Sequence, residues 1–224
     1  MRKRPTRSDF SRLIQPVDPK APDPSVIRGA AEQIRNGGLA VFPTWGLYGI
    51  GADIFQPDAV ARVFQAKKRP PGQPIAILIP SQTRLNPYVT GISESARKLM
   101  EAFWPGGITL VFRASALVPE LLTARTGKIG IRVPLHPVAA ALVESLAHPI
   151  TATSANLSGE PGCADVAVLS PEVMAEMAVI LDAGLLFGGA GSTVVDVTTH
   201  PPAILRQGSV PAADIRQCLG LEPG

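Results

Sequence analysis

Four basic residues, Lys67, Arg69, Arg132 and Arg206, stand at or just past short apolar runs, and Ser154-Ala155-Asn156-Leu157-Ser158-Gly159 follows another such run. In α/β layers the strand ends open into the crevice where ligands bind. Cations and short polar groups gathered there from distant segments suit a polyanion, and a nucleoside triphosphate pocket accounts for them better than a solvated face. Taken alone, Lys67-Lys68-Arg69 reads as a solvent-facing cluster that complements a helix dipole. Ser154 and Asn156 alone read as turn formers. The chemistry rests on their combination.

Other readings fall away on spacing. No Walker A sequence is present, and neither Gly49-Ile50-Gly51 nor Gly189-Ala190-Gly191 extends to the dinucleotide fingerprint, because each lacks the third glycine. Each pair alone reads as an ordinary turn ahead of a phosphate cradle. Cys163 and Cys218 are too few for a structural zinc site, and no Ser/His/Asp or Cys/His arrangement supplies a covalent nucleophile. His136, between Pro134 and Pro137, reads as structural, and His148 and His200 sit beside prolines in loops. Trp45 at a strand end reads as a buried wall of the pocket or core rather than an RNA stacking platform. Asp53 and Asp196 are the carboxylates at hand for a magnesium ion on ATP, although such oxygen-ligand sites leave little sequence trace.

These residues need elements to position them. Ser25 caps a helix with Val26, Ala30 and Ile34 on one stripe, stopping at Gly37-Gly38, and strand Leu39–Phe42 ends at Pro43-Thr44. A helix from Pro57 buries Val60, Val63 and Phe64 and delivers Lys67 and Arg69 at or just beyond its C-terminus. Strand Ile75–Ile79, a helix from Ser93 to Phe103, strands Ile108–Phe112 and Ile129–Val133, a helix from Pro137 to about Leu146 and strand Ile150–Thr153 follow. Ser170-Pro171 opens a further helix. Strands Val179–Asp182, Thr193–Val197 and Ala203–Arg206 precede a last helix from about Pro211 to Leu219, closed by Gly220. The alternation predicts an α/β fold around a mixed sheet.

The chain has 224 residues, 46% apolar and 17% charged, which suits one domain able to bury a core without disulfides or metal. Its net charge of +3 is concentrated at the start: residues 1–24 carry Arg2, Lys3, Arg4, Arg7, Arg12 and Lys20 against Asp9, Asp18 and Asp23. The body from Ser25 onward is therefore neutral. Residues 1–24 are expected to form a flexible basic tail capable of weak RNA contact, and residues 25–224 the folded domain. The basic start lacks the apolar stretch of a secretion signal and no span reaches membrane length, so a reduced, cytoplasmic chain is expected.

In order along the chain stand Pro43-Thr44 with Tyr48-Gly49-Ile50-Gly51, Lys67-x-Arg69-Pro70, Phe103-Trp104-Pro105-Gly106 with Thr109-Leu110, and Ile131-Arg132-Val133-Pro134. Ser154-Ala155-Asn156-Leu157-Ser158-Gly159, Ser192-Thr193-Val194-Val195-Asp196 and Ile204-Leu205-Arg206-Gln207-Gly208 complete the series. This ordered set resembles the YrdC family of threonylcarbamoyl-adenylate synthases from about residue 25 to 219. The resemblance implies a YrdC/RibB-like fold, a twisted mixed β-sheet with flanking helices around a central concave ligand cavity. It also implies a nucleotidyltransferase reaction: threonine and bicarbonate give an N-carboxylated threonine whose carboxylate attacks the α-phosphorus of ATP and expels pyrophosphate. Proteins that modify tRNA then use the adenylate.

By the same resemblance, Lys67, Arg69, Ser154 and Asn156 carry catalysis. ATP falls to Lys67, Arg69, Gln73, Thr109, Ser154, Gly162 and Arg206, and threonine to Thr44, Arg132, Ala152 and Ser192. Magnesium is expected to arrive with ATP, with no dedicated protein metal site. Partners are ATP, L-threonine, bicarbonate and the tRNA-modifying proteins, with no membrane. The chain departs from the family at Trp45 and Gly46, where an acidic residue and a small hydroxyl are usual. Gln73 replaces a common asparagine, Leu78 stands where some members have histidine, and Gly191 where glutamate is frequent. These changes bear on threonine selectivity. Alternative readings are a double-stranded-RNA-binding or ribosome-associated module, and a YciO-like paralogue with weak activity or another carboxylate or amino-acid substrate.

Overall fold

The computed structural model describes residues 7–221. Ten strands form one mixed sheet: β1 (Ile14–Pro16), β2 (Ala40–Pro43), β3 (Tyr48–Gly51), β4 (Ala76–Leu78), β5 (Ile108–Arg113), β6 (Lys128–Arg132), β7 (Ile150–Ser154), β8 (Val179–Asp182), β9 (Thr193–Asp196) and β10 (Ala203–Arg206). Their spatial order is β1-β8-β2-β3-β7-β4-β6-β5-β9-β10. Parallel and antiparallel neighbours mix throughout, as the adjacent late strands predict.

Strand side chains alternate between faces, and here the alternation explains the cavity. Val41, Ile50, Ile77, Leu110, Ile131, Ile180 and Val195 join one core, covered by α2 (Pro57–Ala66), α3 (Glu94–Phe103), α4 (Glu120–Thr123), α6 (Pro171–Met174) and α7 (Ala212–Leu219). Ala40, Phe42, Leu78, Ile150, Val179 and Leu181 face the other way, beneath α1 (Pro24–Arg35) and α5 (Pro137–Leu146). Those two helices cover only part of that face. Over β6, β5 and β9 the same face carries Lys128, Gly130 and Arg132, Thr109 and Val111, and Val194 and Asp196, and it opens into a cavity of about 710 Å³.

Three expectations about the first half change. Residues 7–24, assigned to a flexible tail, instead include a 3₁₀ segment, Arg7–Leu13, and edge strand β1, with Ile14 paired to Ile180. Arg2, Lys3 and Arg4 lie outside the described residues. The cap of α1 is Asp23, which accepts from the Ser25 amide at 2.7 Å ahead of Pro24 in the first turn, so Ser25 is one step inside. Gly49 and Gly51 form no turn. They lie in central strand β3, where a Cβ on Gly51 would come within 2.6 Å of the Phe42 ring.

The connection from β8 to β9 is the unusual one. It spans only residues 183–192, yet β8 and β9 stand seven strand positions apart, at about 4.8 Å per position in a flat sheet. This strap runs past the β2–β3 turn, tied there by Tyr48 Oη to the Gly184 carbonyl at 2.7 Å and by the Gly188 amide to the Gly46 carbonyl at 2.8 Å. Its last residues, Gly189 to Ser192, form one wall of the cavity.

Candidate active site

Helix α2 ends in a Schellman arrangement: the Lys68 amide bonds to the Gln65 carbonyl at 2.9 Å and the Arg69 amide to the Phe64 carbonyl at 2.8 Å. Lys68 takes the left-handed conformation, with φ of 49°. The reversal sends three adjacent basic side chains different ways. Lys67 turns inward, Lys68 meets Glu172 on the surface, and Arg69 reaches the cavity wall.

Lys67 is 1% exposed. Its ammonium donates to the carbonyls of Ser154 and Asn156, at 2.5 and 2.8 Å, and lies 3.3 Å from Asn156 Oδ1. Three donors therefore meet three acceptors within the protein. Asn156 is similarly committed, since its Nδ2 donates to the carbonyls of Leu157 and Glu160 and its Oδ1 also accepts from Ser154 Oγ. Neither side chain lines the cavity. Their contact nevertheless joins the Lys-x-Arg and Ser-x-Asn segments, with Arg69 and Ser154 on the cavity side of that junction. Burial, aided by Arg69, pulls the Lys67 amine down to about 8.

The rest of the wall comes from register. Arg132, at the end of β6, lies on the cavity face beside Thr109 of β5, Thr109 pairs with Val194 of β9, and Val194 pairs with Arg206 of β10. Thr109 Oγ1 and Ser192 Oγ are 2.8 Å apart, and Arg206 Nη2 donates to the Ser192 carbonyl at 2.7 Å. Arg69 donates to the Pro74 carbonyl at 2.8 Å. Burial lowers all three guanidinium groups, and Arg206 adds to the shift at Arg69 and at Arg132, which falls to about 10. Arg132 Nε is buried without a partner. The next register row, Ala76, Gly130 and Val111, is small and apolar and forms the floor.

Of the expected residues, Arg69, Thr109, Ser154, Gly162, Arg206, Thr44, Arg132, Ala152 and Ser192 all line this cavity. Gln73 does not. It is exposed, and it is its carbonyl that accepts from Arg69 Nε at 3.2 Å. Leu78 is fully buried in the core beneath α5 rather than against a ligand. Trp45, expected in a wall or core, is 49% exposed, with its ring 6.0 Å from that of Phe187 on the strap. His136 is structural, accepting the Val138 amide at the start of α5.

Lys128 escaped the sequence reading, although alternation from Arg132 through Gly130 puts it on the same face. It pairs with Asp196 at 2.8 Å. Burial alone would raise the Asp196 carboxyl, but hydrogen bonds from Lys128 and Thr198 outweigh it and hold the group below its ordinary value. Asp196 is thus committed, and Asp53 lies outside the cavity, accepting the Phe55 amide at 2.9 Å. Among the described residues the cavity wall carries four cations, Arg69, Lys128, Arg132 and Arg206, against Asp196 alone, so its field favours a polyanion.

A doubly covered mixed sheet with a cationic cavity on its bare half defines a class, and sequence comparison specifies it. The model of the Sua5/YciO/YrdC family, described as telomere recombination, matches residues 32–208, and the chain belongs to this family. A Pyrococcus abyssi protein named threonylcarbamoyl-AMP synthase is 39% identical over 194 residues, covering 87% of this chain. This chain spans 57% of that relative, and 94% of a Mycobacterium tuberculosis relative that is 38% identical. The crystal structure of Pyrococcus abyssi Sua5 complexed with L-threonine superposes with a TM-score of 0.88 at 37% identity, covering 93% of this chain and 61% of that one. Escherichia coli YciO gives 0.82 at 28% identity, covering 88% and 96%.

Proposed function

We propose that the chain forms L-threonylcarbamoyl-adenylate from L-threonine, bicarbonate and ATP, releasing pyrophosphate. The observation that carries this reading is the arginine set of β6, β10 and the α2 exit, facing a cavity with a small apolar floor. The names and the threonine complex of its relatives support it.

The reaction asks the protein for placement. The threonine amine and bicarbonate condense to a carbamate with loss of water. A carbamate oxygen forms a bond to the α-phosphorus as the bond to the β-phosphate bridging oxygen breaks, and pyrophosphate leaves with that electron pair. No covalent enzyme intermediate enters, so orientation and charge stabilisation carry the rate. Arg69, Arg132 and Arg206 offset negative charge on the phosphates and carboxylate. Thr109 and Ser192 offer hydroxyls between them. The buried floor limits water, which protects the labile carbamate.

Magnesium in this reading arrives bound to ATP. The adenylate passes to tRNA-modifying proteins in the cytoplasm, and any RNA contact falls to the basic start of the chain. No helix of the described residues is long and apolar enough to cross a membrane. Substrate selectivity tests the reading: the purified protein is offered threonine, serine and other amino acids with ATP and bicarbonate. Threonine-dependent adenylate supports the reading, and preference for another amino acid makes the chain a paralogue with altered selectivity.

A further inference from the structure

The strap meets the β2–β3 turn through two successive residue pairs. Gly46 and Gly188 approach so closely that a Cβ on Gly46 would lie 2.2 Å from the Gly188 carbonyl oxygen. That oxygen is backbone, so any side chain at 46 displaces the strap. The Gly188 amide completes the contact with its bond to the Gly46 carbonyl at 2.8 Å. One residue earlier on each segment, the rings of Trp45 and Phe187 lie 6.0 Å apart at an interplanar angle of 38°, within the range of attractive aromatic pairs. Phe187 is 90% exposed, so its ring serves this pair and not the core.

The junction governs one edge of the cavity. The turn is braced internally, because the Thr44 amide and Oγ1 both donate to the Leu47 carbonyl, at 3.0 and 2.5 Å, and Thr44 lines the cavity. Beyond the junction, Gly189, Ala190 and Gly191 continue along the cavity wall to Ser192. The far end is held separately: the Gly191 carbonyl accepts the Ser209 amide and the Thr193 amide donates to the Gly107 carbonyl, each at 2.9 Å. Gly189 and Ala190 therefore bridge two fixed points, one on the turn that carries Thr44 and one at Ser192.

We propose that Trp45-Gly46 and Phe187-Gly188 form a latch that pins the strap to the turn and sets the room for the amino-acid side chain between Thr44 and Ser192. None of the four lines the cavity, so they are positioning residues that act through Thr44 and the wall from Gly189 to Ser192. This assignment rests on the threonine reading above and adds the device that sizes its side-chain space. Pinning the strap before the amino acid arrives avoids the ordering cost of closing a loose loop around it.

Four variants test the latch. Gly46→Ala forces the strap away, Phe187→Ala removes the ring, Phe187→Tyr keeps it, and Leu185→Ala alters an exposed strap residue outside the junction. Hydrogen exchange at the Gly188 amide, melting temperature, kcat, and KM for L-threonine and for ATP are measured on each. Gly46→Ala is expected to speed exchange and raise KM for threonine about tenfold, and Phe187→Ala about threefold, with KM for ATP kept within about twofold. Phe187→Tyr and Leu185→Ala should keep wild-type values. Because Phe187 is exposed, Phe187→Ala keeps the test decisive whatever Gly46→Ala does to folding. Unchanged exchange in both disrupting variants, or faster exchange with the two KM values unmoved or moved together, overturns the latch and leaves the threonine reading standing. If the wild type prefers another amino acid, the threonine reading fails, and the latch stands or falls on the same KM split measured with that one. A wild type that forms adenylate with no amino acid overturns both.

Discussion

The Lys67 ammonium lies 2.8 Å from the carbonyl oxygen of Asn156, joining the end of α2 to a loop 89 residues later. The contact changes the meaning of a basic motif. Lys67 ties the end of α2 to the segment that carries Ser154 to the cavity, and Arg69, two residues on, is the member of the motif on the cavity wall.

Lys67 and Arg69 should therefore fail differently. Lys67→Met removes the three contacts of the ammonium and leaves the Asn156 carbonyl without its donor, and hydrogen bonds to a charged group contribute about 1.5–3 kcal/mol each. The expected result is a clearly lowered melting temperature together with lost turnover. Arg69→Ala should abolish turnover with little change in melting temperature. Denaturation curves and pyrophosphate release measured on both variants check the contrast; equal melting temperatures would show that Lys67 does not hold the loop.

Lys68 adopts φ of 49°, a conformation disfavoured for residues with a Cβ by about 1–2 kcal/mol, and its partner Glu172 is on the surface. Lys68→Gly is expected to raise stability by about 1 kcal/mol in a denaturant titration and leave adenylate formation unchanged.

Gly130 sits on the floor, where a Cβ would lie 3.0 Å from Thr109 Cγ2 and 3.2 Å from Ala76 Cβ. Gly130→Val fills that space. The expected outcome is a loss of ATP affinity of roughly tenfold or more with retained folding, read by calorimetry and circular dichroism.

His136 accepts the Val138 amide through Nδ1, which requires the neutral ring, and burial lowers its proton affinity. In the unfolded chain the ring protonates near its ordinary value of about 6.5. The unfolded state thus binds the extra proton first, so this contribution is complete above that value and is lost as pH falls below it. Denaturant midpoints of wild type and His136→Ala should differ by about 1 kcal/mol at pH 8 and converge toward pH 5.

Much of this arrangement is legible in the sequence, because apolar alternation and the Ser93 and Pro137 helix starts are local signals. Edge strand β1 was not, since three residues ending in Pro16 carry no alternation and gain their place only by pairing with β8. Gly49 and Gly51 mislead for a similar reason: their small size answers to Phe42 and Ile150 across the sheet. The segments that meet at the cavity were readable as motifs. The directions of Lys67, Lys68 and Arg69 were not, because a left-handed residue at 68, unmarked by glycine, sets them. Trp45 ends exposed because the Gly46–Gly188 approach brings its neighbour on the strap to be Phe187 rather than the core.

The most direct measurement combines purified protein with magnesium-ATP, L-threonine and bicarbonate, omits each in turn, and follows pyrophosphate and adenylate. Pyrophosphate and a threonylcarbamoyl-adenylate should appear together only in the complete mixture and vanish with Arg69→Ala. Pyrophosphate released without threonine or bicarbonate, or none from the complete mixture, would contradict the proposed reaction.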